Sequence, residues 1–136
     1  MGKIVIYTDG GARGNPGPAA IGAVVNGKGY AEAIGETTNN VAEYKAVIFA
    51  LKKAKALVGK EKARETEVEI KSDSELMISQ QNGTYQIKNE DLGKLFIEIW
   101  NLKQDFKKVD FTLIPREKNK EADKLVNQAL DKKSLF

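Results

Sequence analysis

Short apolar runs bounded by turn residues fill the first third of the chain, and apolar positions at helical spacing replace them after residue 40. Lys3 to Thr8 (KIVIYT) reads as a strand from its β-branched and aromatic content, with Asp9 at its C-terminal end. Gly10 to Pro18 (GGARGNPGP) is a cluster of Gly and Pro that predicts a shaped loop instead of a regular element. Ile21 to Val25 and Tyr30 to Ile34 predict two more strands, joined by Asn26-Gly27-Lys28-Gly29, whose Asn-Gly pair suits the positive φ angles of a tight hairpin. From Val41 to Val58, residues Tyr44, Val47, Ile48, Leu51, Ala54 and Val58 share one helical face. Gly59 to Thr66 reads as a charged connection and Glu67 to Lys71 as a strand; a helix then runs from Asp73 to Gln81 and ends at Asn82-Gly83. Asn89 predicts the N-cap of a helix carrying Leu92, Leu95, Phe96, Ile99 and Phe106 on one side, and Val109 to Ile114 a fifth strand. Ala122, Leu125, Val126, Ala129 and Leu130 mark a last helix. The order βββαβααβα predicts an α/β fold, a mixed five-stranded sheet flanked by helices, as one domain over residues 1–136. Ligands of such sheets gather beyond the carboxyl ends of strands, where Asp9 and Asp73 both fall.

Two absences narrow the chemistry. The 136 residues include no Cys and no His. That removes disulfides, zinc ribbons, iron-sulfur clusters, thiol nucleophiles, the histidine general base and the common catalytic zinc sites. Asp, Glu, Lys, Tyr, Ser or a bound hard cation is left to carry any reaction, which narrows the search to carboxylates. The apolar runs are too short for a membrane span and the N-terminus shows no signal-peptide pattern, so the expected location is the cytoplasm.

Four acids stand out, and each alone has an ordinary structural explanation. Asp9 before Gly-Gly suits a turn, and Asp73 suits an N-cap, with Ser72 and Glu75 as a possible capping box. Glu43 fits the third helical position after an Asn40 cap, yet it borders the apolar stripe one turn before Val47. Asp123 suits the positive end of its helix dipole, yet it borders Val126. Four such acids brought together by one fold would need a counter-charge, because like charges at close range raise one another's pKa values. All-oxygen ligation suits Mg²⁺ or Mn²⁺, and a pair of such ions can clamp a phosphodiester. Setting the four aside leaves 15 acids against 22 basic residues, a surplus of seven positive charges that suits a polyanion.

The blocks YTDGGARGNPGPAAIGAVV, TTNNVAEYKAVIFAL, IKSDSELMISQ and NKEADKLVNQAL, in this order and spacing, resemble ribonuclease H of type 1, and the likeness covers nearly the whole chain. The resemblance implies a ribonuclease H-like fold and hydrolysis of the RNA strand of RNA/DNA hybrids, leaving 5′-phosphate and 3′-hydroxyl ends. It also implies that Asp9, Glu43, Asp73 and Asp123 are the catalytic, metal-binding acids, holding two Mg²⁺ ions (Mn²⁺ as substitute) in the substrate complex. Gly10, Asn15 and Asn40 match positions that contact the RNA strand, Asn39 and Ser74 positions that touch the hybrid's backbone, and Asn119 a loop position near the fourth acid. An Asn amide and exposed backbone can both donate to and accept from the 2′-hydroxyl that separates RNA from DNA. A P-loop reading of the Gly-rich segment fails, since no Gly-Lys-Ser or Gly-Lys-Thr follows.

The chain departs from the family in two places. Only QNGTYQIK separates the Asp73 helix from Asn89, so the basic extension that several members use as a substrate handle is missing. Lys52, Lys53, Lys88, Lys118 and Lys120 are the candidate replacements, although such lysines also suit a plain solvated surface. Many members also carry a His before the fourth acid; here the loop reads PREKNKEAD, with Arg116 and Glu117 as possible substitutes. The expected partner is a hybrid nucleic acid, with no membrane, and the expected state is a monomer. The competing readings are a noncatalytic hybrid-binding module and another nuclease or strand-transfer enzyme of the same fold.

Overall fold

A computed structural model describes residues 2–134; Met1, Leu135 and Phe136 of the expected domain lie outside the described residues. The strands are β1 (Gly2–Ala12), β2 (Gly17–Val25), β3 (Lys28–Thr37), β4 (Thr66–Ser72) and β5 (Lys108–Leu113). They form one sheet in the order β3-β2-β1-β4-β5. The first three make an antiparallel meander, whereas β4 runs parallel to β1 and β5 parallel to β4. The turn between β2 and β3 is the expected tight one, with Asn26 at φ 52° and Gly27 at φ 91°.

The helices are α1 (Asn39–Val58), a one-turn α2 (Lys60–Ala63), α3 (Glu75–Gln81), α4 (Glu90–Lys103) and α5 (Lys120–Ser134), with a 3₁₀ turn at Arg116–Lys118. Alternation along β1 and β4 buries Ile4, Ile6, Val68 and Ile70, which meet Tyr44, Val47, Leu51 and Ala54 of α1 and Ile99 of α4 in the main core. On the opposite face, α5 closes over β2 and β3, and Val126 and Leu130 pack against Ala20.

Several expectations need correction. The Gly-rich segment is mostly strand: β1 continues through Ala12, β2 starts at Gly17, and Gly10, Gly11 and Ala12 pair with Ile21, Ala20 and Ala19. Pairing on the β2 side supplies the hydrogen bonds that weak β propensity does not, so only residues 13–16 form the loop. Asp9 therefore sits inside β1 and not at its end, although the parallel pairing with β4 stops two residues earlier, at Tyr7 opposite Lys71. Thr38, not Asn40, caps α1, its Oγ1 accepting from Val41 N at 3.2 Å. Ser74, not Asp73, caps α3, accepting from Met77 N at 3.3 Å, while Ser72 Oγ accepts from Ser74 N. In both helices a hydroxyl takes the orphan amide, and in α3 this leaves the Asp73 carboxylate for the cleft. The connection after α1 contains α2 because Ala63 is buried, and Phe106 enters the core from beyond the end of α4. The Asn89 cap is as expected, accepting from Leu92 N at 3.0 Å.

Candidate active site

Two glycines bring two helices onto the middle of β1. Gly10 faces α1, and a Cβ there would lie 2.3 Å from the carbonyl carbon of Ala42 and 2.6 Å from Glu43 N. Without it, α1 settles against the strand and Glu43 Oε1 accepts from Gly10 N at 3.0 Å. Asp9 pairs with Gly22, and opposed residues of antiparallel strands share a face. A Cβ at Gly22 would lie 2.4 Å from Ala122 O, so its absence lets α5 close in and carry Asp123 toward Asp9. Asp73 follows the end of β4, next to β1 in the sheet.

All four acids line one cleft of about 420 Å³, together with Gly10, Gly11, Arg13, Asn39, Ser74 and Arg116. A larger cavity of about 560 Å³ lies over Tyr7, Lys71, Lys118 and Asn119. It contains none of the four acids, and the concentration of titratable groups favours the smaller cleft.

Burial pushes Asp9 up to about 7, with the charges of Asp73 and Asp123 adding to it and the Gly10 amide opposing. Glu43 also titrates well above the ordinary carboxylate range, first from burial and then from the charges of Asp9 and Asp73. Asp73 accepts from Asn119 Nδ2 at 2.7 Å and faces Arg116 Nε at 3.8 Å. Asp123 is exposed in the first turn of α5, with its amide donating to Asn119 O at 3.1 Å. As placed, no three acids among the described residues already form a closed ligand set. The donors are nonetheless all oxygen, and two of them resist ionisation unless a positive charge is supplied, which fits a divalent cation.

The remaining expected contacts divide. Ser74 and Asn39 line the cleft. Asn39 Oδ1 accepts from Ala12 N at 2.7 Å and Asn15 Oδ1 from Asn39 N at 3.1 Å, so these two side chains lock the loop after β1 to the start of α1. Asn40 is exposed on the first turn and lies outside the cleft wall. Asn119 is buried behind Asp73 and also donates to Thr8 O at 2.9 Å, tying β1, Asp73 and the start of α5 together. The sequence reading missed Gly22, whose signal was an isolated glycine inside an apolar strand, and it missed Arg13 and Asn127, which no spacing pattern marks.

The family described as reverse transcriptase-like matches residues 7–129. A bifunctional protein of Mycobacterium tuberculosis is 40% identical over 136 residues, covering 95% of this chain and 36% of the relative. A ribonuclease HI of Halobacterium salinarum is 39% identical over 136 residues, covering 96% of this chain and 65% of the relative. The chain thus spans about a third of the mycobacterial relative and somewhat under two thirds of the halobacterial one. The crystal structure of LC11-RNase H1 in complex with RNA/DNA hybrid superposes with a TM-score of 0.89 at 47% identity, over 98% of this chain and 99% of that one. Between α3 and α4 only residues 82–89 intervene, without a basic extension. On fold, on sequence and on the arrangement of its acids, the chain belongs to the ribonuclease H type 1 family.

Proposed function

We propose that this chain is a metal-dependent endoribonuclease that hydrolyses the RNA strand of RNA/DNA hybrids, giving 5′-phosphate and 3′-hydroxyl ends. The observation that carries the reading is that Asp9, Glu43, Asp73 and Asp123, from four separate elements of a ribonuclease H type 1 chain, line one cleft. These acids would hold two Mg²⁺ ions, or Mn²⁺ in their place, in the substrate complex. When bound, the ions supply activation of the attacking water and neutralisation of charge on the leaving 3′-oxygen.

The chain's own residues do the rest. Asn119 orients Asp73 and removes one of its lone pairs from competition. Gly10 offers backbone at the closest approach of strand and helix, and Asn15, Asn39, Asn40 and Ser74 meet the RNA strand and its 2′-hydroxyls. Arg116, beside Asp73 in the loop where other members carry a His, stabilises negative charge. The domain acts as a monomer in the cytoplasm; among the described residues no helix is long and apolar enough to cross a membrane.

Labelled RNA/DNA hybrid, duplex DNA and duplex RNA, each incubated with Mg²⁺ and with Mn²⁺, test the reading. The expected result is cleavage of RNA in the hybrid, dependent on the ion and lost in Asp9→Asn. Equal cleavage of duplex DNA, or hybrid binding without any cleavage, would overturn it.

A further inference from the structure

We propose that Arg13 binds a phosphate of the RNA strand other than the scissile one, and that Asp131 is the counter-ion it releases when the hybrid docks. The proposal rests on the reading of the cleft as a hybrid-cleaving site and adds a contact that neither the expected site residues nor the likeness to relatives assigns.

Arg13 projects from a pinned backbone. Its amide donates to Pro18 O at 2.8 Å, the preceding Ala12 amide is held by Asn39, and a Cβ at Gly17 would lie 2.2 Å from Arg13 O. Arg13 and Arg116 are the basic residues of the cleft wall, and they stand apart: Arg116 is beside Asp73, whereas Arg13 reaches Asn127 and Asp131 along α5. Asp123, Asn127 and Asp131 recur every four residues and so follow one stripe of that helix, leading from the acids to Arg13. Arg13 lies four residues beyond Asp9 on the same chain direction, roughly 13 Å of backbone at the rise of a strand, and its guanidinium is engaged at Asp131, about two helical turns along α5 from Asp123, which points to a phosphate other than the one held at the acids.

The contact Arg13 makes now is weak enough to exchange. Its Nη2 is 2.6 Å from Asp131 Oδ1 and 3.5 Å from Asn127 Oδ1, and the side chains of Arg13 and Asp131 are 43% and 68% exposed. A pair so exposed contributes little to folding. Only Nη2 is engaged among the described residues, so the Nε and Nη1 donors remain for the forked geometry that a phosphate takes.

The rival role is a clamp that merely steadies α5 and hence Asp123. Removing either partner of a clamp has the same effect; removing a phosphate ligand and removing its competitor have opposite effects. The test measures binding of fluorescent RNA/DNA hybrid in EDTA, where no cleavage occurs, for wild type, R13A and D131N between about 50 and 200 mM salt. R13A is expected to weaken binding about threefold or more and to reduce the slope of log K against log salt by about 0.9. D131N is expected to tighten binding about twofold to fivefold, the worth of an exposed pair, with both variants melting near wild type. Methylphosphonate placed singly along the RNA strand should cost wild type affinity at one non-scissile position that costs R13A nothing. Weakening by both variants, or an unchanged slope in R13A while wild type binds and cleaves hybrid normally, would overturn the Arg13 assignment alone. A wild type that neither binds nor cleaves hybrid would overturn it together with the reading of the cleft.

Discussion

Replacing Asp9 by Asn should remove activity and, in metal-free buffer, make the protein more stable. In the folded chain the Asp9 carboxyl is pushed up to about 7 from 3.8 by burial and by Asp73 and Asp123. At about 1.4 kcal/mol per tenfold change in proton affinity, holding that group ionised costs the fold up to ~4 kcal/mol at alkaline pH. The replacing amide still pays part of the burial cost, so the net gain is about 1–3 kcal/mol, or about 3–10 °C in Tm for a chain of this size. The sign follows from a raised folded-state pKa. Below about pH 4 both folded and unfolded chains hold the proton and the cost is absent; it grows as pH rises toward 7 and is complete above that. Melting of wild type and Asp9→Asn in EDTA from pH 4 to pH 8.5 should therefore show a difference that opens across this window. Adding Mg²⁺ at pH 8 should raise the Tm of wild type more than that of Asp9→Asn, because a ligand stabilises the state that binds it. Equal stability of the two proteins at pH 8 in EDTA, or a gain of the same size at pH 4, would refute the reasoning.

Other substitutions report on how the cleft is assembled. Gly10→Ala places a methyl 2.3 Å from the α1 backbone, so thermal denaturation should show a loss of about 2–3 kcal/mol or more, accompanied by a large fall in kcat as Glu43 is displaced. Gly22→Ala does the same from the other face through Ala122, and its activity loss should exceed what its Tm alone explains. Asn119→Ala strands Thr8 O and frees Asp73; an apparent Mg²⁺ affinity 10- to 100-fold weaker is expected in activity titrations, whereas unaltered affinity would deny the orienting role. Since Asp9 and Glu43 must lose protons to ligate, Mg²⁺ binding by calorimetry should tighten as pH rises to about 7 and release protons on binding.

Element types were legible in the sequence because they rest on local signals, and the four acids because they fall in the blocks that resemble ribonuclease H of type 1. Apolar spacing marked α1 and α5, Asn-Gly marked the hairpin, and the lack of Cys and His narrowed the search to carboxylates. The sequence reading failed where tertiary contact decides. The Gly10–Ala12 segment is strand because β2 pairs with it, and no propensity within the segment reports that pairing. The caps went to Thr38 and Ser74 instead of Asn40 and Asp73, a difference of one or two residues that local preference does not resolve among neighbouring cap-forming residues. The bond from Asn39 N to Asn15 Oδ1, a pairing across 24 positions that fixes the loop to α1, was likewise not legible, and it adds a structural role to the substrate contacts proposed for these two residues. Gly22 and Arg13 gained their places only when α5, from the far end of the chain, was folded against β2.

The central prediction is that four carboxylates from distant parts of the chain share divalent cations. Anomalous diffraction from crystals soaked in Mn²⁺ locates those ions directly. The prediction is density within about 2.0–2.6 Å of an Asp9 oxygen and of at least one further acid among Glu43, Asp73 and Asp123, with a second ion beside it once hybrid is bound. Mn²⁺ bound elsewhere on the protein, with Asp9 left unligated, would contradict it.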